Sequence, residues 1–278
     1  MKNVLVPTDF SANSWNALEY AVGLFEKVPC NFYILHIGRL NQSSTKGNSF
    51  TLPLTRDNTI RKKLSVLFER IEQLPRNRRH HFVALEEYGR IVNAIRNTVA
   101  SKSINLIVMG TKGASGVKAA IVGSNTGNVI TQVACNVLVV PEQATIVIPP
   151  KEIVFPTDYN IFYSFSILEA IAEIIHLAKA KLQILNVLKN KGRLSQEQEK
   201  NKAYLQDYVE EAFQEKHRFY DIRNNNVKTA IQHHIAIEHG EMVIMVAKNL
   251  DFLQNLFFDS TIEKVSFHTR VPLLVLHE

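Results

Sequence analysis

Short, almost unbroken apolar runs alternate with longer stretches of helical periodicity along this chain, and that alternation predicts most of its elements. Residues 4–7, 31–37, 82–85, 106–109 and 137–140 are such runs. Four to eight continuous apolar residues suit strands buried on both faces, as parallel sheets require. Between the first two runs, Ser11 is placed to cap a helix that carries Trp15, Leu18, Val22 and Phe25 near one face. Residues 60–74 predict a second, basic-faced helix, stopped by Pro75. Helices are also predicted from Ile91 and over residues 127–133. Strands alternating with helices imply a parallel sheet covered on both faces. In such sheets ligands sit beyond the carboxyl ends of the strands, where strand order reverses.

The same pattern occurs twice. Ile153-Val154-Phe155-Pro156-Thr157-Asp158 repeats Val4-Leu5-Val6-Pro7-Thr8-Asp9 at an offset of 149, while residues 106–109 and 137–140 recur at 242–245 and 273–276 at an offset of 136. The difference, 149 − 136 = 13, assigns about that many extra residues to the middle of the first half, in the polar stretch 39–49. The chain therefore reads as a tandem duplication with domains at 1–143 and 150–278, joined by a proline-flanked linker.

Where the run 106–109 stops, glycines begin: Val108-Met109-Gly110-Thr111-Lys112-Gly113, then Gly123-Ser124-Asn125 after nine intervening residues. A bare Cα lets main-chain N–H groups approach a ligand, and a following helix N-terminus suits phosphate. The spacing excludes a P-loop, since Ser115 stands where the second glycine belongs, and excludes G-x-G-x-x-G, since position 112 is Lys. The spacing that is present, G-x2-G-x9-G-[ST]-N, resembles the ATP-binding signature of the universal stress protein family. Val4-Leu5-Val6-Pro7-Thr8-Asp9-Phe10-Ser11 is similar to that family's first strand and acidic turn.

The resemblance implies two tandem doubly wound α/β domains, each a five-stranded parallel sheet with helices on both faces (adenine nucleotide alpha hydrolase-like). It implies an ATP site in the first half made from Pro7, Thr8, Asp9, Ile37, Met109, Gly110, Lys112, Gly113, Gly123, Ser124 and Asn125. The main chain of Ile37 would read the adenine edge, while its side chain packs in the core. Asp9 would meet ribose or adenine, or else cap the helix beginning near Ser11. Lys112 would pair with a phosphate or be an ordinary loop lysine. Mg²⁺ would bridge the phosphates through ligand oxygens. In the second half Val246, Asn249 and Asp259 replace Gly110, Gly113 and Gly123, and Ser260 alone survives of the cradle. That half is expected not to bind ATP and to pair with the first through the two fifth strands, with a homodimer of chains as a further option.

Composition and charge sharpen this picture. Residues 1–147 carry 17 Lys+Arg and 9 Asp+Glu, a net +8, against 15 and 17, a net −2, in residues 148–278, so the positive surplus lies with the glycine motif. The densest basic patch, Arg76-Asn77-Arg78-Arg79-His80-His81, lacks interleaved aromatics and reads as a solvated turn rather than a nucleic-acid surface. Two cysteines, no apolar run near the ~20 residues of a membrane span, and a start that passes straight into a strand point to the cytoplasm. His233, His234 and His239 read as packing or surface residues rather than a metal site, and the charge-rich residues 196–202 and 210–216 as exposed helix faces. The leading functional reading is a nucleotide-dependent stress-response regulator. The alternatives are a slow ATPase using the same cradle and a scaffold with a vestigial site.

Overall fold

Among the described residues ten strands form a single sheet, eight of them at the apolar runs and their repeats. The computed structural model describes residues 1–38, 58–111, 124–142, 147–189, 191–214, 216–248 and 271–278. In the first half β1 (Lys2–Thr8), α1 (Ala12–Leu24), β2 (Cys30–Gly38), α2 (Asn58–Glu72), β3 (His81–Tyr88), α3 (Ile91–Lys102), β4 (Leu106–Gly110), α4 (Ser124–Gln132) and β5 (Asn136–Val140) follow in order. Among the described residues the second half repeats the succession through its fourth strand, with β6 (Glu152–Pro156), α5 (Phe165–Ala178), β7 (Lys181–Leu188), α6 (Gln196–Phe213), β8 (His217–Arg223), α7 (Val227–Ile237) and β9 (Met242–Val246), and has β10 (Leu273–Leu276) as its fifth strand. Between the second strand and helix of each half lie residues 39–57 in the first and 189–195 in the second, 19 against 7, close to the excess expected from the sequence.

Strand order is β3-β2-β1-β4-β5-β10-β9-β6-β7-β8, so each half has the doubly wound order, mirrored about the centre. Neighbours within a half are parallel, whereas β5 and β10 are antiparallel. Their register pairs Val139 with Leu273, Leu138 with Leu274 and Val137 with Val275. Since 138 + 136 = 274, the central pair consists of equivalent residues, and a local two-fold axis passes between Leu138 and Leu274.

Side chains alternate across the pleat into two cores. Val4, Val6, Phe32 and Val108 face α1 and α2, continuous with Phe155, Leu182 and Ile244 beneath α5 and α6. Leu5, Leu35, Ile107 and Met109 face α3 and α4, continuous with Leu185 and Val243 beneath α7. Each core therefore crosses from one half into the other. Near-complete burial of β4, β9 and β10 and of the centres of β1 and β5 explains why those stretches are continuously apolar. The edge strand β3 is mostly exposed, with only Phe82 and Leu85 half-buried against the two cores, and its charged residues Glu86 and Glu87 blunt an otherwise unpaired edge.

Candidate site at the β1–β4 crevice

Strand β1 pairs with β2 over seven residues, from Lys2–Cys30 to Thr8–His36, but with β4 over only two, Val4–Leu106 and Leu5–Ile107. Three residues beyond Leu5 and Ile107 stand Thr8 and Gly110, level with each other but no longer paired. Their pairing ends there, at the point where strand order reverses, which is where doubly wound sheets place ligands.

Thr8 and Asp9 form one wall. The Thr8 hydroxyl accepts from the Phe10 N–H at 3.0 Å and donates to the Ser14 hydroxyl at 3.1 Å, while Ser14 donates onward to the Ser11 carbonyl at 2.9 Å. Phe10 adopts a left-handed conformation, φ 63°, which turns the chain abruptly into α1. Ser11 caps α1 by accepting from Ser14 N–H at 3.2 Å, and an Asp9 carboxylate oxygen accepts from Ser11 N–H at 3.0 Å. Asp9 is exposed at the rim, so its turn-making role leaves it on the solvent side of the crevice. Lys63 sits 5.6 Å from the Phe10 ring centroid, bringing a cation from α2 to the same rim.

Strand β2 supplies the side wall. The Gly38 carbonyl accepts from Gly89 N–H at 3.1 Å, toward β3. Carbonyls alternate along a strand, so that of Ile37 faces the β1 side, one residue past the last β1–β2 pair, Thr8–His36. The Ile37 side chain packs into the α3–α4 core, as expected. His36 reaches back from the same strand, its Nδ1 3.1 Å from the Thr8 carbonyl. A carbonyl only accepts, so Nδ1 carries the proton there.

Gly110 is where three elements meet. Its carbonyl accepts from the buried Thr126 hydroxyl at 3.0 Å, which ties the start of α4 to the end of β4. The Cβ it lacks would lie 2.6–2.7 Å from Cγ, Nδ2 and Oδ1 of Asn13, so the Asn13 amide lies face-on against the glycine. The next residue, Thr111, donates its N–H to Val140 at 3.2 Å. Helix α4 begins at Ser124, three residues earlier than the sequence pattern predicts, because the polar Ser124-Asn125-Thr126 turn carries no apolar periodicity. Ser124 and Asn125 are thus inside its first turn, with Asn125 exposed.

The structure therefore brings Thr8, Asp9, Ile37 and Gly110 to the carboxyl ends of three adjacent strands, with Pro7 and Met109 buried one residue below and α4 starting alongside. Lys112, Gly113 and Gly123 lie outside the described residues. Asn13, Ser14, His36 and Thr126 join the site without having been singled out in the sequence. The hydroxyl in the first turn of α4 was a usable signal for Thr126. Asn13 touches a residue 97 positions away, and no local pattern announces it.

The second half keeps the frame and changes the contents. Asn160 N–H donates to Asp158 at 3.1 Å and Tyr159 N–H to Thr157 at 3.0 Å, Tyr159 has φ 57°, and Lys202 lies 5.7 Å from its ring. Asn186 takes the place of His36, donating to the Thr157 carbonyl at 2.8 Å. The helix, however, starts late: α1 begins four residues after Thr8 (12 − 8), α5 eight after Thr157 (165 − 157). The longer loop turns Tyr163 inward, fully buried, where its phenol hydrogen-bonds the Thr157 hydroxyl and its ring meets Phe155 edge-on at 6.0 Å. Burial raises the Tyr163 pKa, keeping the phenol protonated. Val246, 4% exposed, stands where the first half has Gly110, and Ile161, Tyr163, Met245 and Val246 crowd the recess between β6 and β9. Asn249, Asp259 and Ser260 lie outside the described residues.

Other predicted features resolve as follows. Residues 196–202 are not simply a solvated face: Gln198 donates to the Asp158 carbonyl at 2.6 Å and buried Asn201 to that of Tyr159 at 2.9 Å, because α6 packs on the loop after β6. His234 is buried against the Tyr220 ring at 4.5 Å and donates Nε2–H to Gln183 at 3.0 Å, a packing role. In the basic stretch Arg78 and Arg79 are exposed, but His80 turns inward and its Nδ1 accepts from Cys30 N–H at 3.2 Å. Among the described residues no group of three His, Cys, Asp or Glu could hold a metal ion, and no helix is long and apolar enough to cross a membrane.

A model of the universal stress protein family matches residues 1–141. The fold is similar to that of a universal stress protein from Archaeoglobus fulgidus DSM 4304, with 20% identity over 99% of this chain and 96% of that one and a TM-score of 0.65. A putative universal stress protein from Pseudomonas aeruginosa UCBPP-PA14 matches at 14% identity over 99% and 93%, TM-score 0.60. The cytoplasmic domain of a prokaryotic cation chloride cotransporter shares the architecture at 10% identity over 99% and 94%, TM-score 0.53. No curated protein matches the chain.

Proposed function

This chain belongs to the universal stress protein family, and from that premise we propose that its first half binds one ATP in the β1–β4 crevice and uses nucleotide occupancy to regulate a stress response in the cytoplasm. The observation that carries this reading is the end of β1–β4 pairing below Thr8 and Gly110, with the start of α4 tied to that point by Thr126. The first turn of α4 holds no acidic residue, so its N-terminal N–H groups and the positive end of its dipole favour an anion. The triphosphate is held by the main chain of Gly110, Gly113, Gly123, Ser124 and Asn125 with Lys112 beside it, Met109 and Pro7 flooring the crevice. The Ile37 main chain reads adenine, and Thr8 and Asp9 face the ribose. Mg²⁺ would enter with the nucleotide and offset the triphosphate charge.

In this reading the chain divides into domains at 1–143 and 150–278. The second domain binds no nucleotide, since Val246 and Tyr163 occupy its crevice, and acts as a built-in pairing partner through β10. Isothermal titration with MgATP tests it. One site per chain is expected, abolished by Gly123→Val; two sites per chain, or none, would sink the proposal.

A further inference from the structure

The space beside the bare Cα of Gly110 is taken by the chain itself. All three heavy atoms of the Asn13 amide lie 2.6–2.7 Å from where a Cβ would stand. Equal distances to Cγ, Nδ2 and Oδ1 mean that the amide faces the glycine flat. Asn13 is 3% exposed, in the first turn of α1, so it has little room to swing aside. The second half supplies an internal control. There the helix begins four residues later relative to its strand, the first-turn residues Phe165 and Ser166 are exposed, and a valine fits at the position of Gly110.

We infer that Asn13 is a positioning residue of the nucleotide site: it seats the first turn of α1 on the last residue of β4, and Gly110 is a glycine in order to receive it. The inference rests on the nucleotide reading of the crevice. Gly110 is then held from three sides, by the Asn13 amide on its Cα, the Thr126 hydroxyl on its carbonyl, and β5 alongside. The main chain proposed to meet the ligand at Gly110 is thereby fixed in place. A late-starting helix and a side chain at the strand end belong to one structural change, and so a single Val246→Gly substitution does not create a second site.

A double-mutant cycle on the full chain tests this, reading MgATP affinity by titration and the unfolding midpoint without nucleotide. Gly110→Ala alone forces the new methyl into the Asn13 amide; overpacking of this kind lowers affinity about 10-fold or more and also lowers the midpoint. Asn13→Gly alone loosens the seat and weakens affinity by about 3-fold to 10-fold. The combined Asn13→Gly/Gly110→Ala variant is expected to bind as well as Asn13→Gly, because the clash is gone, and to regain its midpoint. If the double variant binds as poorly as Gly110→Ala while its midpoint recovers, the bare Cα serves the ligand and the inference is overturned. An unaltered Gly110→Ala protein would overturn it too. Should wild-type protein bind no ATP, the nucleotide reading fails instead, and non-additivity in the midpoints still reports on the Asn13–Gly110 contact.

Discussion

Thr126 offers the most direct way to ask whether the strand end and the helix start form one unit. Its hydroxyl donates to the Gly110 carbonyl at 3.0 Å and the residue is 3% exposed. Thr126→Val replaces that hydroxyl by a methyl of similar size on an equally branched side chain, so helix propensity and packing hardly change. The hydrogen bond is lost and a carbonyl is left with a methyl against it, a cost of roughly 1–3 kcal/mol. Gly110 is half-buried, so water partly replaces the donor, and about 1–2 kcal/mol is the better figure. Restoring the joint before ligand can bind takes that amount out of the affinity, a factor of about 5–30 for MgATP. Thr126→Ser keeps the donor and removes one buried methyl, about 0.8 kcal/mol of stability, with affinity held within about 3-fold. Urea unfolding gives the first quantity and calorimetric titration the second. If Thr126→Val bound ATP like the parent, or if Thr126→Ser proved equally damaging, the joint would not organise the site.

Two further predictions follow from the burial and the register. Burial lowers the pKa of His80, reinforced by Arg76, and burial likewise lowers those of His234 and His277. The folded chain keeps these rings neutral while the unfolded chain takes up protons below about pH 6.5, so stability is full above that pH and declines as pH falls toward the depressed folded values. His80→Phe, which also removes the acceptor for Cys30 N–H, should flatten that decline in urea midpoints measured from pH 7.5 to 5, and an unchanged slope would count against the assignment. The β5–β10 register, self-complementary under the 136-residue offset, predicts that residues 1–143 expressed alone form a dimer through β5, with Leu138 opposite its own copy. Light scattering should give twice the chain mass and Leu138→Arg should abolish it; a monomer at tens of micromolar would refute the pairing.

The strands, their parallel character and the offsets between the halves were legible because each depends on local pattern. A stretch of strand buried on both faces must be apolar, and residues 4–7 of β1, 106–109 of β4 and 137–140 of β5 are. Of the glycine motif, Gly110 stands at the end of β4, level with the end of β1, where its missing Cβ leaves room for the Asn13 amide. The sequence could not reveal that Asn13 lies on Gly110, that Thr126 bonds the same residue, or that α5 starts a turn late and leaves Tyr163 beneath its loop. Those contacts join positions 97, 16 and 6 apart through the sheet, the crossover helices and a turn. A hydropathy pattern records how deeply a residue is buried; which partner meets it there depends on how strands splay and where helices begin, and only packing in three dimensions decides that.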